Sequence, residues 1–171
     1  MIDDEDLKYL KEAGCAENVI RHCIAVTEKA LEIAKMVNVP VDKELIKKGG
    51  INHDIGRSVT HGIDHAVAGA GIAKSMGLRE EVVRIIERHI GAGITRDEAI
   101  RLGLPPKDYI PETPEEIIVA YADNLAKGDV MGEFDEALMS FSERLGDGHP
   151  AVERFIKMHK LIQTWINKRS E

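Results

Sequence analysis

Apolar residues recur at three- and four-residue steps along almost the whole chain, and that period is the tightest constraint on its fold. Between residues 17 and 38, Val19, Cys23, Val26, Ala30, Ile33 and Val37 form one stripe, as on a helix with one buried face. Over residues 79–90, Val82, Ile85, Ile86 and His89 stand at i, i+3, i+4 and i+7, which sets an imidazole facing the core in the last turn. The same reading gives helices over residues 4–13, from Asp42 into His53-Asp54, 65–76, 95–102, 114–126, 133–145 and 150–168. The last should bury Phe155, Met158, Ile162, Trp165 and Ile166. No stretch alternates as a strand would, and there is no repeat or low-complexity tract. The expected fold is all-α, a single helical bundle of about seven to nine helices.

Punctuation between these segments fits helices. Gly14, Pro40 and Gly77 are stops, and Gly56 suits the left-handed position past a helix end. Asp42 and Asp64 are candidate N-caps, and Thr113-Pro114-Glu115-Glu116 reads as a capping box with proline at the first helical position. Gly49-Gly50 inside a helix costs roughly 1 kcal/mol per residue relative to alanine, so a neighbouring helix should approach closely there. Gly91 and Gly93 bound a flexible loop, and Pro105, Pro106 and Pro111 mark a longer one that can line or cover a site.

At 171 residues the chain is long enough for one domain with a sizeable core. A formal charge of −7 argues against a surface built for duplex nucleic acid. No apolar run approaches the ~20 residues that span a bilayer. The acidic start, Met1-Ile2-Asp3-Asp4-Glu5-Asp6, is the opposite of a secretory signal. Cys15 and Cys23 are then expected as reduced thiols and the protein as cytoplasmic.

Six side chains carry the chemistry. His53 and Asp54 are adjacent, between Ile51 and Ile55; His22, His65, His89 and Asp123 fall at inward-facing or helix-end positions of other helices. Four imidazoles and two carboxylates brought together without a counter-ion would be expensive, since each desolvated unpaired charge costs several kcal/mol. Divalent cations remove that penalty, and nitrogen and oxygen donors of this kind suit them.

The order His22, His53-Asp54-Ile55-Gly56, Asp123 resembles the HD superfamily of metal-dependent phosphohydrolases, with an HDIG-type motif. His65-Ala66-Val67-Ala68-Gly69 and Arg88-His89 resemble the extra histidines of its two-metal members, among them dinucleoside-tetraphosphate hydrolases and cyclic-dinucleotide phosphodiesterases. The resemblance runs from residue 18 to 128 and implies an HD domain over 1–171, with helices 133–168 packed on the metal-site core. It implies that His22, His53, Asp54 and Asp123 hold one ion, and that Asp54 bridges to a second held by His65 and His89. One or two divalent ions (Fe, Mn, Mg, Ni, Co or Zn) would activate water to attack a small phosphorylated molecule, a nucleotide or related ester. Two departures stand out: Arg57 replaces the usual lysine after the glycine, and Gly49-Gly50 replaces apolar residues before the pair. A guanidinium grips phosphate in bidentate fashion, so Arg57 keeps a phosphate-binding role.

Around this set, Asp54, Arg57 and His61 are the candidate catalytic residues, with His61 in the loop before His65 as a general acid or substrate contact. Arg57, His61, Arg88 and Tyr109 are the candidate substrate contacts, Tyr109 as a base-stacking ring in the proline-rich loop; Arg96 is a weaker one. The same family also resembles mixed-valent di-iron oxygenases such as myo-inositol oxygenase, which share the six ligands. A metal-binding signalling module without catalysis is the other alternative.

Overall fold

The computed structural model describes residues 1–169. Its helices are α1 (Lys8–Ala13), α2 (Glu17–Met36), α3 (Lys43–Asn52), α4 (His65–Ser75), α5 (Glu80–Glu87), α6 (Arg96–Leu102), α7 (Pro114–Leu125), α8 (Phe134–Leu145) and α9 (Pro150–Arg169). A 3-10 turn, Ile55–Ser58, follows α3. The expected all-α architecture is the observed one. Among the described residues the β structure is a two-residue ladder, β1 (Ala126–Lys127) against antiparallel β2 (Val130–Met131), and an isolated bridge between Ile94 and Tyr109, both too short to show as alternation. No described helix is long and apolar enough to cross a membrane.

The main core draws on residues from Leu10 in α1 to Ile162 in α9. The stripe on α2 is buried throughout, and α3 and α7 lie against it. A second, small cluster holds Ile94, Ala99, Leu104 and Tyr109, flanked by Val67 and Ile90. On α9, Phe155, Met158 and Ile162 are buried, whereas Trp165 and Ile166 are half-buried at the core's edge.

Glycines set how closely the inner helices approach. A Cβ on Gly49 would come within 2.5 Å of the Ile85 side chain, and one on Gly50 within 2.6 Å of Thr27 Oγ1. The glycine pair therefore lets α3 press against α5 and α2 at once, as its helix-breaking cost required. Gly56 does not take the expected left-handed conformation. It lies within the 3-10 turn, where a Cβ would sit 1.8 Å from the His65 carbonyl oxygen and 2.7 Å from Gly69 N. The turn after Asp54 is thereby laid directly on the first turns of α4.

Several boundaries move inward. Residues 4–7 form turns before α1, and α5 ends at Glu87, two residues before His89. Asp64 precedes α4 without capping it by its side chain; its carboxylate accepts from the Thr60 hydroxyl instead (2.9 Å). Thr113 caps α7 through the Glu116 N–H, but the Glu116 carboxylate turns to the Thr113 hydroxyl and the Glu112 N–H. A reciprocal capping box stands instead at the start of α6, between Thr95 and Glu98.

Two substitutions test the role of backbone contact. Gly56→Ala should destabilise the protein by about 3 kcal/mol, since backbone is a hard neighbour and the turn must shift. Gly71→Ala, on the exposed side of α4 with nothing within 4 Å, should stabilise it by about 0.5–1 kcal/mol. Thermal melts of the two variants check both signs; an unchanged midpoint for Gly56→Ala would show that α4 is not held by this contact.

Candidate metal centre

The six candidate ligands meet. His22 projects from α2, His53 and Asp54 follow the last turn of α3, His65 opens α4, His89 follows α5, and Asp123 lies in the last turn of α7. His53 and His89 are 0% and 1% exposed, and Asp54 3%. Three overlapping groups place their donor atoms within 4.8 Å of one another: His22, His53 and Asp54; His53, His89 and Asp123; Asp54, His65 and His89.

Every imidazole is aimed by a hydrogen bond from its Nδ1. His53 donates to the Gly50 carbonyl (2.7 Å), His65 to Gly62 (2.8 Å) and His89 to Ile86 (2.6 Å). Each is the carbonyl three residues earlier, and those of Gly50 and Ile86 belong to the last turns of α3 and α5, where carbonyls lack helical partners. His22 donates to Gly128 in the turn between β1 and β2 (2.6 Å), where the backbone takes φ +64°. A carbonyl can only accept, so the Nδ1 positions hold the protons and every Nε2 lone pair is turned inward.

Inside, the acceptors crowd. Nε2 of His22 lies 3.2 Å from that of His53, and Nε2 of His65 lies 3.1 Å from that of His89. Asp54 stands between the two pairs. Its Oδ2 is 3.4 Å from His22 Nε2, 3.7 Å from His53 Nε2 and 3.1 Å from Arg57 Nε. Its Oδ1 is 3.1 Å from both His65 and His89 Nε2, yet is buried with no hydrogen-bond partner. Asp123 Oδ1 closes the first pair, 2.9 Å from His22 and 3.3 Å from His53. An orphaned buried carboxylate oxygen among inward lone pairs fits divalent cations, which accept electron pairs from both donor types.

Without cations, protons take their place. Burial opposes charge on His53, but Asp54, the Cys23 thiol and Asp123 hold its pKa well above the ordinary value. Burial opposes ionisation of Asp54 too, yet His53, His65 and His89 hold its carboxyl well below the usual range; Asp123 is lowered likewise, by His53 and His22. His89, as enclosed as His53, is pushed down by burial.

Of the six candidate ligands, all but His53 form part of the wall of an open cavity of about 870 Å³. Arg57 and His61 also line it, Arg57 with a secondary contact to the His61 carbonyl (3.4 Å). Arg88 does not. Its guanidinium is held by Glu116 (2.7 Å) and Glu112 (3.5 Å) and ties α7 to the end of α5. Tyr109 is a correction as well: 3% exposed, it packs in the small cluster with its hydroxyl donated to the Pro105 carbonyl (2.8 Å), so its ring is not offered for stacking. Arg96 is likewise spent on its own loop, donating to the Pro106 carbonyl. Sequence reasoning missed Arg101, Phe141, Arg144, His149 and Arg154, which line the rest of the cavity. Only the folding of α6, α8 and α9 about it brings them together.

The shifts set how cation binding depends on pH. The raised His53 pKa gives stability that is full below its unfolded value near 6.5 and is lost as pH rises through the folded value. The lowered carboxylates contribute stability present above their unfolded value near 3.8 and lost as pH falls through their folded values. A cation must displace the imidazole protons, so affinity should rise between pH 6 and pH 8 by about tenfold per pH unit for each proton released. Calorimetric titration with Mn²⁺ in buffers of different ionisation enthalpy measures this; no proton release at pH 7 would show that His53 is uncharged in the ion-free protein.

Comparison with known proteins identifies the family. Residues 19–128 match the HD domain family. An uncharacterized protein of Methanocaldococcus jannaschii is 53% identical, over 95% of this chain and 98% of its own length. A tRNA (cytidine(56)-2'-O)-methyltransferase of Thermoplasma volcanium is 43% identical over 98% of this chain, which spans only 49% of that protein. A ribonuclease Y of Acidothermus cellulolyticus is 29% identical over 81% of this chain and 24% of its own. Among solved structures, the HD domain of the Listeria monocytogenes phosphodiesterase PgpH, in complex with cyclic-di-AMP, shares the fold. Its TM-score is 0.57 at 16% identity, over 94% of each chain. The chain belongs to the HD domain family.

Proposed function

We propose that this protein is a metal-dependent phosphohydrolase acting on a nucleotide or related phosphate ester. The observation that carries the reading is the convergence of four Nε2 lone pairs on an Asp54 carboxylate whose inner oxygen has no partner. In this reading His22, His53, Asp54 and Asp123 would hold one ion, and Asp54, His65 and His89 would hold a second. Divalent ions bound there would lower the pKa of a coordinated water and offset charge on phosphoryl oxygens. Relatives named ribonuclease Y and a phosphodiesterase bound to cyclic-di-AMP support the hydrolase class and a nucleotide-type substrate. The methyltransferase relatives have about half of their length outside the alignment, so methyl transfer is not assigned to this module.

The chain's own groups supply the rest. Arg57, partly exposed, is held by Asp54 through Nε and lines the cavity, where its guanidinium would bind phosphoryl oxygens. His61, exposed at the cavity wall, would pass a proton to a departing alkoxide in this reading. The Nδ1–carbonyl bonds keep the ligand rings from turning, so the set need not reorganise during the reaction.

Activity on a panel of nucleotides and on bis-p-nitrophenyl phosphate should vanish on chelation and return with Mn²⁺ or another divalent ion. Asp54→Asn should lower turnover by at least about 10²-fold, since it charges both halves of the centre. Arg57→Ala should raise KM by about tenfold, the loss of one charge-assisted contact near 1.4 kcal/mol. Full activity in metal-free protein would end this reading. Dioxygen uptake by an iron-loaded sample, with no phosphate ester cleaved, would replace it with the oxygenase alternative.

A further inference from the structure

The cavity extends beyond the metal centre. Its volume, about 870 Å³, falls near the top of the ~300–1,000 Å³ range of small-molecule sites. Part of its wall comes from α6, α8 and α9, which carry none of the six candidate ligands.

Charge on this second wall runs against the chain as a whole. The protein is acidic, with 30 Asp and Glu against 23 Lys and Arg. Yet the wall contributes Arg101, Arg144 and Arg154 and only one acid, Glu98. That acid is already engaged: Arg154 meets it at 2.6 Å and also donates to the Gly93 carbonyl (3.0 Å). Arg101 and Arg144 have no carboxylate partner among the described residues, and both are exposed to the cavity's solvent. Two unneutralised guanidiniums in a concavity focus a positive field on whatever enters it.

The same wall is apolar between its charges. The Arg144 guanidinium lies 5.5 Å from the centre of the Phe141 ring, and Leu102 and Leu145 are 48% and 41% exposed beside them. Exposed leucines next to free arginines suit a ligand whose anionic groups alternate with flat, weakly polar rings. His149 adds a donor. Its Nδ1 accepts from the Ala151 N–H (3.1 Å), which leaves the ring proton on Nε2.

A single phosphate at the metal centre would be served by the ions and Arg57 and would leave this wall without a counterpart. We infer that the α6–α8–α9 wall is a second phosphate subsite, built on Arg101 and Arg144, for a short nucleotide chain. The substrate class is then a nucleotide with two or more phosphates separated by a nucleoside. One phosphate lies at the metal centre and the next at the arginines, with a base against the exposed Leu102 and Leu145. The assignment of the first phosphate rests on the hydrolase reading; the second subsite does not.

Binding tests the subsite apart from catalysis. Metal-free protein is titrated with the dinucleotide UpU and with its 5′-phosphorylated form pUpU, which differ only in the added phosphate. Wild-type protein should bind pUpU about tenfold more tightly. The R101Q/R144Q double variant should bind the two alike and melt with the wild type, since neither guanidinium carries an ion pair among the described residues. With Mn²⁺ restored, the variant should keep its kcat/KM for bis-p-nitrophenyl phosphate and lose about tenfold for pUpU. No preference for pUpU in the wild type, or one that survives in the double variant, overturns the subsite. Absence of turnover on every ester, with the preference intact, would overturn the hydrolase reading and leave the subsite standing.

Discussion

The four bonds from imidazole Nδ1 to backbone carbonyls govern the centre. A histidine that can turn is a poor ligand, because either nitrogen can face inward and the wrong one brings a proton. Here the backbone removes that freedom. At the ends of α3 and α5 the carbonyls lack the usual partner four residues on, and His53 and His89 stand three residues beyond them; the Gly50 carbonyl also takes the His53 backbone N–H (3.4 Å). The same bond that completes a helix end therefore points a lone pair at Asp54. His65 repeats the arrangement at the start of α4 with the Gly62 carbonyl. His22 cannot, because it lies within α2, and so a distant turn at Gly128 performs the service. That turn gives the short β1–β2 ladder a reason to exist in an otherwise helical molecule.

Much of this was legible in the primary structure because helical period and residue type carry it. The stripe Val82, Ile85, Ile86, His89 places the imidazole on the core side whether or not the helix continues to it. Only the direction of the side chain matters, and a residue just past the end retains it. The Gly49-Gly50 pair announced a close approach, and Ile85 and Thr27 supply it. What stayed hidden depends on contacts between distant segments. Gly56 looked like a helix stop because a glycine after a helix usually is one; its actual requirement, the His65 carbonyl, comes from the next helix. Tyr109 in a proline-rich loop looked exposed, but that loop folds on a cluster of its own. The arginines of α6, α8 and α9 have no shared motif, and each alone reads as a solvated surface charge.

Electrostatics divide the cavity in two. Around the six ligands the protein itself is negative and needs cations to become attractive to phosphate; along the other wall arginines provide the attraction directly. An acidic exterior and a locally basic interior wall are compatible because Coulomb interactions between exposed charges fade over about 8–10 Å in physiological salt. The overall charge of −7 thus governs solubility more than what enters the cavity.

The small cluster of Ile94, Ala99, Leu104 and Tyr109 has a mechanical consequence. Ile94 lines the cavity, as do Leu102 and Arg101 on the same segment, while the ligand set is seated on the main core. The two are joined by the pairing of Arg154 with Glu98 and of Lys107 with Glu87, and by Val67 of α4 and Ile90, which pack against the small cluster. Because Ile90 adjoins His89 and Val67 shares the first turn of α4 with His65, the packing of residues 94–109 bears directly on two of the candidate ligands.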